Sequence, residues 1–108
     1  MDTYSTIEAP SQAKVTVKKS TFLAFAYPIE SEQLADDIIR DHRKRYYDAR
    51  HVCYAYRLGA DLWRTKDDGE PHGTAGLPIL RAIDSLSKDQ CMVVVVRYFG
   101  GTLLGTGG

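Results

Sequence analysis

The stretch CMVVVVRYF, Cys91 to Phe99, decides the fold. It is a β-branched apolar run without the in-and-out alternation of a half-exposed strand, so both of its faces must be buried. Such a strand belongs at the centre of a sheet. A charged residue, Arg97, interrupts it near its end, and a glycine-rich tail, GGTLLGTGG, follows.

Working outward, residues 75 to 85 read as a helix turning Leu77, Leu80 and Ala82 or Ile83 inward. Residues 59–73, GADLWRTKDDGEPHG, read as a loop by composition. HVCYAYRL, His51 to Leu58, is β-branched, aromatic and alternating, and reads as a strand. Further upstream, KVTVKK alternates over Lys14 to Lys19, and TFLAFAY follows from Thr21 to Tyr27 and stops at Pro28. Only a short turn separates these two strands, so an antiparallel hairpin is expected. Between hairpin and third strand, Ser31 is placed to cap a helix with Leu34, Ala35, Ile38 and Ile39 on its apolar face. His42, Arg43, Lys44 and Arg45 suit the negative end of that helix. The order is strand, strand, helix, strand, helix, strand, then a glycine turn entering another helix. It predicts an α+β two-layer sandwich, a mixed or antiparallel sheet of about four strands with helices on one face.

Composition narrows the class. The chain has 108 residues, 44% of them hydrophobic, which suits one domain. Lys plus Arg and Asp plus Glu number 14 each, so the formal net charge is zero, which argues against a strongly basic nucleic-acid module. No apolar run reaches the ~20 residues of a bilayer span and the N-terminus is no signal peptide. No membrane association and a cytoplasmic location are therefore expected. Cys53 and Cys91 sit in strand-like runs and are expected as buried free thiols.

Candidate chemistry gathers in DDGEPHGTAGLPIL, where Asp67, Asp68 and Glu70 fall within four residues. They are candidate oxygen ligands for Mg²⁺. They are also what a turn leading into a helix would carry: Asp68-Gly69 is a turn dipeptide, Gly73 and Gly76 permit unusual backbone angles, Thr74 can cap and Pro78 fits a first turn. The strand-to-glycine passage RYFGGTLLGTGG resembles a phosphate cradle through Gly100, Gly101, Gly105 and Gly107, but has neither G-x-G-x-x-G nor a P-loop ending. A buried Arg97 needs a carboxylate, which Asp67, Asp68 or Glu70 can supply. His51 and Cys53 share a strand face but do not make a zinc site, and no metal site or cofactor is expected. Arg43, Lys44, Arg45 and Arg50, with Tyr46, Tyr47, Tyr54 and Tyr56, are candidate RNA contacts, against the simpler reading of a solvated helix end.

DARHVCYAYR, DDGEPHGTAGLPIL and VVVVRYFGGTLLGTGG resemble, in order and spacing, the successive signature blocks of the YigZ/Impact family, and KKSTFLAFAYPI resembles its first hairpin. The resemblance covers nearly the whole chain. It implies a fold similar to the second domain of ribosomal protein S five. Matching signature positions include His51, Asp67, Asp68, Gly69, Glu70, Pro71, Gly73, Thr74, Gly76, Arg97, Tyr98, Gly100, Gly101, Gly105, Gly107 and Gly108. It also implies a link to translation: eukaryotic relatives regulate it through a ribosome-associated activator, using an added RWD domain. Residues 1–108 are expected to form the Impact-like N-terminal domain, stopping before its last helix and without the ferredoxin-like second domain of bacterial relatives.

The expected function is a binding domain, more an adaptor than an enzyme, contacting RNA or a ribosome-associated protein. The acidic loop and glycine turn would form its surface, with Arg97 and Tyr98 between them. The competing expectation is a phosphorylated small-molecule site, nucleotide-like or enzymatic, at the glycine turn, with Mg²⁺ at Asp68 or Glu70.

Overall fold

The computed structural model describes residues 10–98 other than 18, 71–72, 74 and 86–88. β1 (Ser11–Val17) and β2 (Ser20–Pro28) form the expected hairpin, followed by α1 (Glu32–Arg45), β3 (His51–Arg57), β4 (Trp63–Lys66), α2 (Gly76–Ser85) and β5 (Cys91–Tyr98). The strands make one five-stranded sheet in the order β1-β2-β5-β3-β4, and every neighbouring pair is antiparallel. The α+β class is as expected, and β5 is the central strand.

Two parts of the expectation are corrected. The loop of residues 59–73 contains a strand: Trp63 to Lys66 pair with Arg57 to Tyr54, which raises the strand count from about four to five. The helices also lie on opposite faces rather than on one. Met92, Val94, Val96 and Tyr98 of β5 pack with Ala35, Ile38 and Ile39 of α1, whereas Cys91 and Val93 pack with Leu80, Ile83, Leu77 and Ile79 of α2. Alternate residues of one strand point to opposite faces, so a strand apolar on both sides needs cover on both. β3 divides the same way, with Val52 and Tyr56 toward α1 and Ala55 toward α2.

Local chemistry sets the helix ends. Ser31 caps α1 as expected, its Oγ accepting from the Leu34 N–H at 3.1 Å. His42 does not lie on the surface at the helix end. It is 2% exposed and stacks edge-on against Phe25 and Tyr27. Its Nδ1 lies 2.9 Å from the Ile38 carbonyl, which can only accept, so Nδ1 carries the proton. Its Nε2 and the Tyr27 hydroxyl are hydrogen-bonded at 2.7 Å. α2 is held at its far end by Arg57, whose Nε and Nη2 donate to the two Asp84 oxygens at 2.7 and 2.9 Å. At its start, Gly76 has no unusual φ but lies against β4: a Cβ there would stand 2.7 Å from the Lys66 amide nitrogen. Close approach, not backbone freedom, is what this position requires. The helix expected after β5 lies outside the described residues.

Candidate functional site

The acidic turn follows β4 directly and folds back over β3. The Glu70 N–H donates to the Asp67 carbonyl at 3.1 Å, and Asp68 and Gly69 both have positive φ, 49° and 91°. This is the backbone pattern of a tight hairpin-type turn, and Asp-Gly supplies it at low steric cost.

Each carboxylate then has a separate structural partner. Asp67 Oδ1 accepts from the Ala75 and Gly76 amides at 3.1 and 2.8 Å, and Oδ2 accepts from Gly73 at 2.9 Å. Asp67 thus caps α2 from nine positions upstream, and its charge meets the positive end of the helix. Thr74, the expected cap, lies outside the described residues. Asp68 Oδ2 accepts from the Val52 amide of β3 at 2.7 Å, and its Oδ1 faces the Arg43 guanidinium at 3.4 Å. Glu70 takes the half-buried arginine: both its oxygens lie 2.9 Å from Arg97 Nη1. The sequence left three candidates for that partner, and geometry selects Glu70.

Around this ion pair the sheet register builds a small polar corner. Arg97 stands opposite Phe22 on β2 and His51 on β3, and Cys53 stands opposite Val95. Arg97 Nη2 reaches the Ser20 hydroxyl at 3.3 Å, and the guanidinium lies 5.5 Å from the Phe22 ring centre. His51 Nδ1 donates to the Asp68 carbonyl at 2.6 Å, leaving Nε2 3.8 Å from Glu70 Oε2. The Cys53 thiol donates to the Asp67 carbonyl at 3.0 Å. Burial first, and then the carboxylates of Glu70, Asp68 and Asp67, push this thiol up to about 12, so it is a packing group rather than a nucleophile. Beside the corner, Phe22, Cys53, Glu70, Ala75, Ile79, Val95 and Arg97 line a cavity of about 460 Å³.

The other singled-out residues are dispersed. Tyr98 is adjacent to Arg97 in sequence but faces the α1 side, where its hydroxyl donates to Asp48 at 2.8 Å. Arg43 turns toward Asp68, while Lys44 and Arg45 are exposed. The backbone amide of Arg50 donates to the Arg97 carbonyl at 2.8 Å. Of the tyrosines, Tyr56 is buried, with its hydroxyl 2.9 Å from Glu32, and Tyr46 and Tyr54 pack against the core. Tyr47 alone of the four is open, 83% exposed. Gly100, Gly101, Gly105 and Gly107 lie outside the described residues. Sequence reasoning missed Ser20, Phe22 and Trp63. Trp63, on edge strand β4, is 45% exposed, and only recognising that strand would have marked it as a surface aromatic.

The family model of the Impact N-terminal domain matches residues 18–108. The IMPACT family member in the pol 5' region of Thermus thermophilus is 48% identical over 85% of the chain. The IMPACT family member YigZ of Escherichia coli is 37% identical over 100% of it. These matches cover 49% and 55% of the relatives, so the chain spans about half the length of the curated relatives it matches. Among solved structures, the two-domain translational regulator Yih1 superposes with a TM-score of 0.59 at 31% identity, over 90% of this chain and 38% of that one.

Proposed function

The chain belongs to the Impact family, and on that premise we propose that it is a non-catalytic, partner-binding domain in the regulation of translation, docking on a ribosome-associated protein. The observation that carries this reading is the state of the acidic turn. Every carboxylate in it is engaged by the protein's own donors, so the turn holds α2, β3 and β5 together. Ligating Mg²⁺ there would require breaking those bonds. The likeness to Yih1, a protein described as a translational regulator, supports the same reading. A protein partner fits the surface better than RNA. Most of the tyrosines that would stack bases are packed inward, and the basic run at the end of α1 is flanked by Asp41 and Asp48. Trp63, Arg64 and Lys66 on edge strand β4 are exposed, and Trp and Arg are residue types that dominate protein interfaces.

The test is co-sedimentation with purified ribosomes carrying their associated proteins, beside protein-free ribosomal RNA. Binding to the former, reduced about fivefold or more by Trp63→Ala with Arg64→Glu, is expected. Failure to sediment, or equal and steeply salt-dependent binding to bare RNA, overturns the protein-partner reading. The competing small-molecule reading predicts a higher melting midpoint with nucleotides and Mg²⁺, and none is expected.

A further inference from the structure

The register of β4 fixes which of its backbone groups face outward. The Leu58 N–H donates to the Leu62 carbonyl at 2.8 Å. The β3–β4 pairs continue that register: Arg57 with Trp63, Tyr56 with Arg64, Ala55 with Thr65 and Tyr54 with Lys66. In an antiparallel ladder, hydrogen-bonded pairs alternate with non-hydrogen-bonded ones. Counting from Leu62, the backbone groups of Arg64 and Lys66 face β3, and those of Trp63 and Thr65 face away from it. β4 ends the sheet order, so among the described residues no strand lies on that outer side. Trp63, Arg64 and Lys66 are exposed and Thr65 is half-buried. The side chains divide between the two sheet faces. Cross-strand partners share a face, so Trp63 and Thr65 stand with Arg57 and Ala55 on the α2 side. A Cβ on Gly76 of α2 would accordingly meet that of Thr65 at 2.8 Å. Arg64 and Lys66 stand with Tyr56 and Tyr54 on the α1 side, where Arg64 Nε is 3.4 Å from Glu32. That ion pair is open, 61% and 40% exposed at its two side chains, so a second carboxylate competes for Arg64 at little cost.

We propose that the protein partner is held by strand addition: an extended acidic segment of it pairs antiparallel with the outer edge of β4. This rests on the reading that the chain docks on a protein, and it names the segment that protein must offer. The segment exchanges backbone hydrogen bonds with Trp63 and Thr65, and side chains at alternate positions set its specificity. Opposite Arg64 and Lys66 it carries carboxylates, because opposite charges across a ladder stabilise it and β4 itself bears two cations and no carboxylate. Opposite Trp63 and Thr65 it carries β-branched or aromatic residues, the cross-strand partners that suit an indole and a threonine. Antiparallel pairing continues the pattern of every neighbouring pair in this sheet. A second copy of the chain fits the same edge poorly. Antiparallel self-pairing that sets Trp63 against Thr65, or Thr65 against itself, brings Arg64 opposite Arg64 or Lys66 of the copy, and like charges directly opposite are destabilising.

The probe is a capped peptide of about ten residues alternating glutamate and valine, titrated into the whole chain and followed by amide-resolved NMR and hydrogen exchange. A Kd of about 1 mM or tighter is expected. The Trp63 and Thr65 amides should shift and gain protection, while those of Arg64 and Lys66, already facing β3, change little. A peptide with lysine for glutamate should bind at least about tenfold more weakly. So should one N-methylated at its valines, which lie opposite Trp63 and Thr65, whereas N-methylation at its glutamates should be tolerated. Arg64→Glu with Lys66→Glu should reverse the preference between the glutamate and lysine peptides. No shifts at β4, equal binding of the lysine peptide, or indifference to where the methyl groups sit overturns strand addition. In ribosome co-sedimentation, Thr65→Pro, which deletes an outward N–H at an edge position, should reduce binding about fivefold or more. Undiminished sedimentation of a folded Thr65→Pro chain overturns strand addition and leaves the protein-partner reading standing. Failure of the unaltered chain to sediment overturns that reading instead, and the peptide titrations decide strand addition in either case.

Discussion

Replacing Asp67 with Ala removes the acceptor for three backbone amides at once, those of Gly73, Ala75 and Gly76. Loss of an ordinary helix cap costs about 1 kcal/mol. The other two amides are half-buried and lose a charged acceptor, worth about 1 kcal/mol each after partial rescue by water. The expected loss is therefore about 3 kcal/mol, or a urea midpoint lower by about 2 M at a slope of about 1.5 kcal/mol/M. Urea unfolding followed by far-UV circular dichroism, and by the fluorescence of Trp63, the chain's single tryptophan, measures it. Asp67→Asn supplies the control. It keeps one oxygen for Ala75 and Gly76 but loses the charge and sets an amide against Gly73, so it should cost roughly half as much. A loss below about 0.5 kcal/mol in the alanine variant would refute the capping argument, as would equal losses in both.

Gly76→Ala should destabilise by about 2 kcal/mol or more despite alanine's better helix propensity, because the obstruction is the backbone of Lys66; a raised melting temperature would show that α2 can move away from β4. Glu70→Met alone should cost about 3 kcal/mol by stranding Arg97 beside an apolar group, whereas Glu70→Met with Arg97→Met should recover much of that; additive losses in this double-mutant cycle would deny the pairing. Stability should fall at alkaline pH. Cys53, Tyr56 and Tyr98 are each pushed up to about 12, mainly by burial, from ordinary values of 9.0 for the thiol and 10.0 for the phenols. The folded chain thus keeps protons that the unfolded chain releases. The contribution is full below pH 9 and is lost as pH rises toward 12, by at most about 1.4 kcal/mol per pH unit for each group. Urea midpoints that do not change between pH 9 and 11 would contradict this.

Elements whose cause is local were legible in the sequence. The β1–β2 hairpin, the Ser31 cap, β3 and the central β5 all follow from alternation, capping chemistry and apolar runs. β4 was not, because four residues, WRTK, with two charges carry no period, and only pairing with β3 makes them a strand. The placement of helices on both faces was implicit in the unalternating apolar run of β5, whose two buried sides each needed a cover. In the acidic turn, the Asp-Gly turn chemistry was readable and the division of labour was not. Which carboxylate meets α2, which meets β3 and which meets Arg97 depends on contacts 9 to 27 residues apart in the chain. Arg97's need for a carboxylate was evident from its position in an apolar strand; only the folded contacts identified Glu70.

The sheet order β1-β2-β5-β3-β4 has a consequence for how the chain acquires its structure. Among the described residues, the strand made last is the one that lies between the two hairpins, and β2 and β3 are joined only through β5. A nascent chain emerging from the ribosome can form β1–β2, α1 and β3–β4 as separate pieces, but each hairpin keeps an open hydrogen-bonding edge. Only after residue 98 is free can both edges close, in a single late insertion dominated by distant pairings, which favours slow folding. Until then the half-built sheet presents two matching unsatisfied edges, the state most exposed to capture by a second nascent copy or by a chaperone.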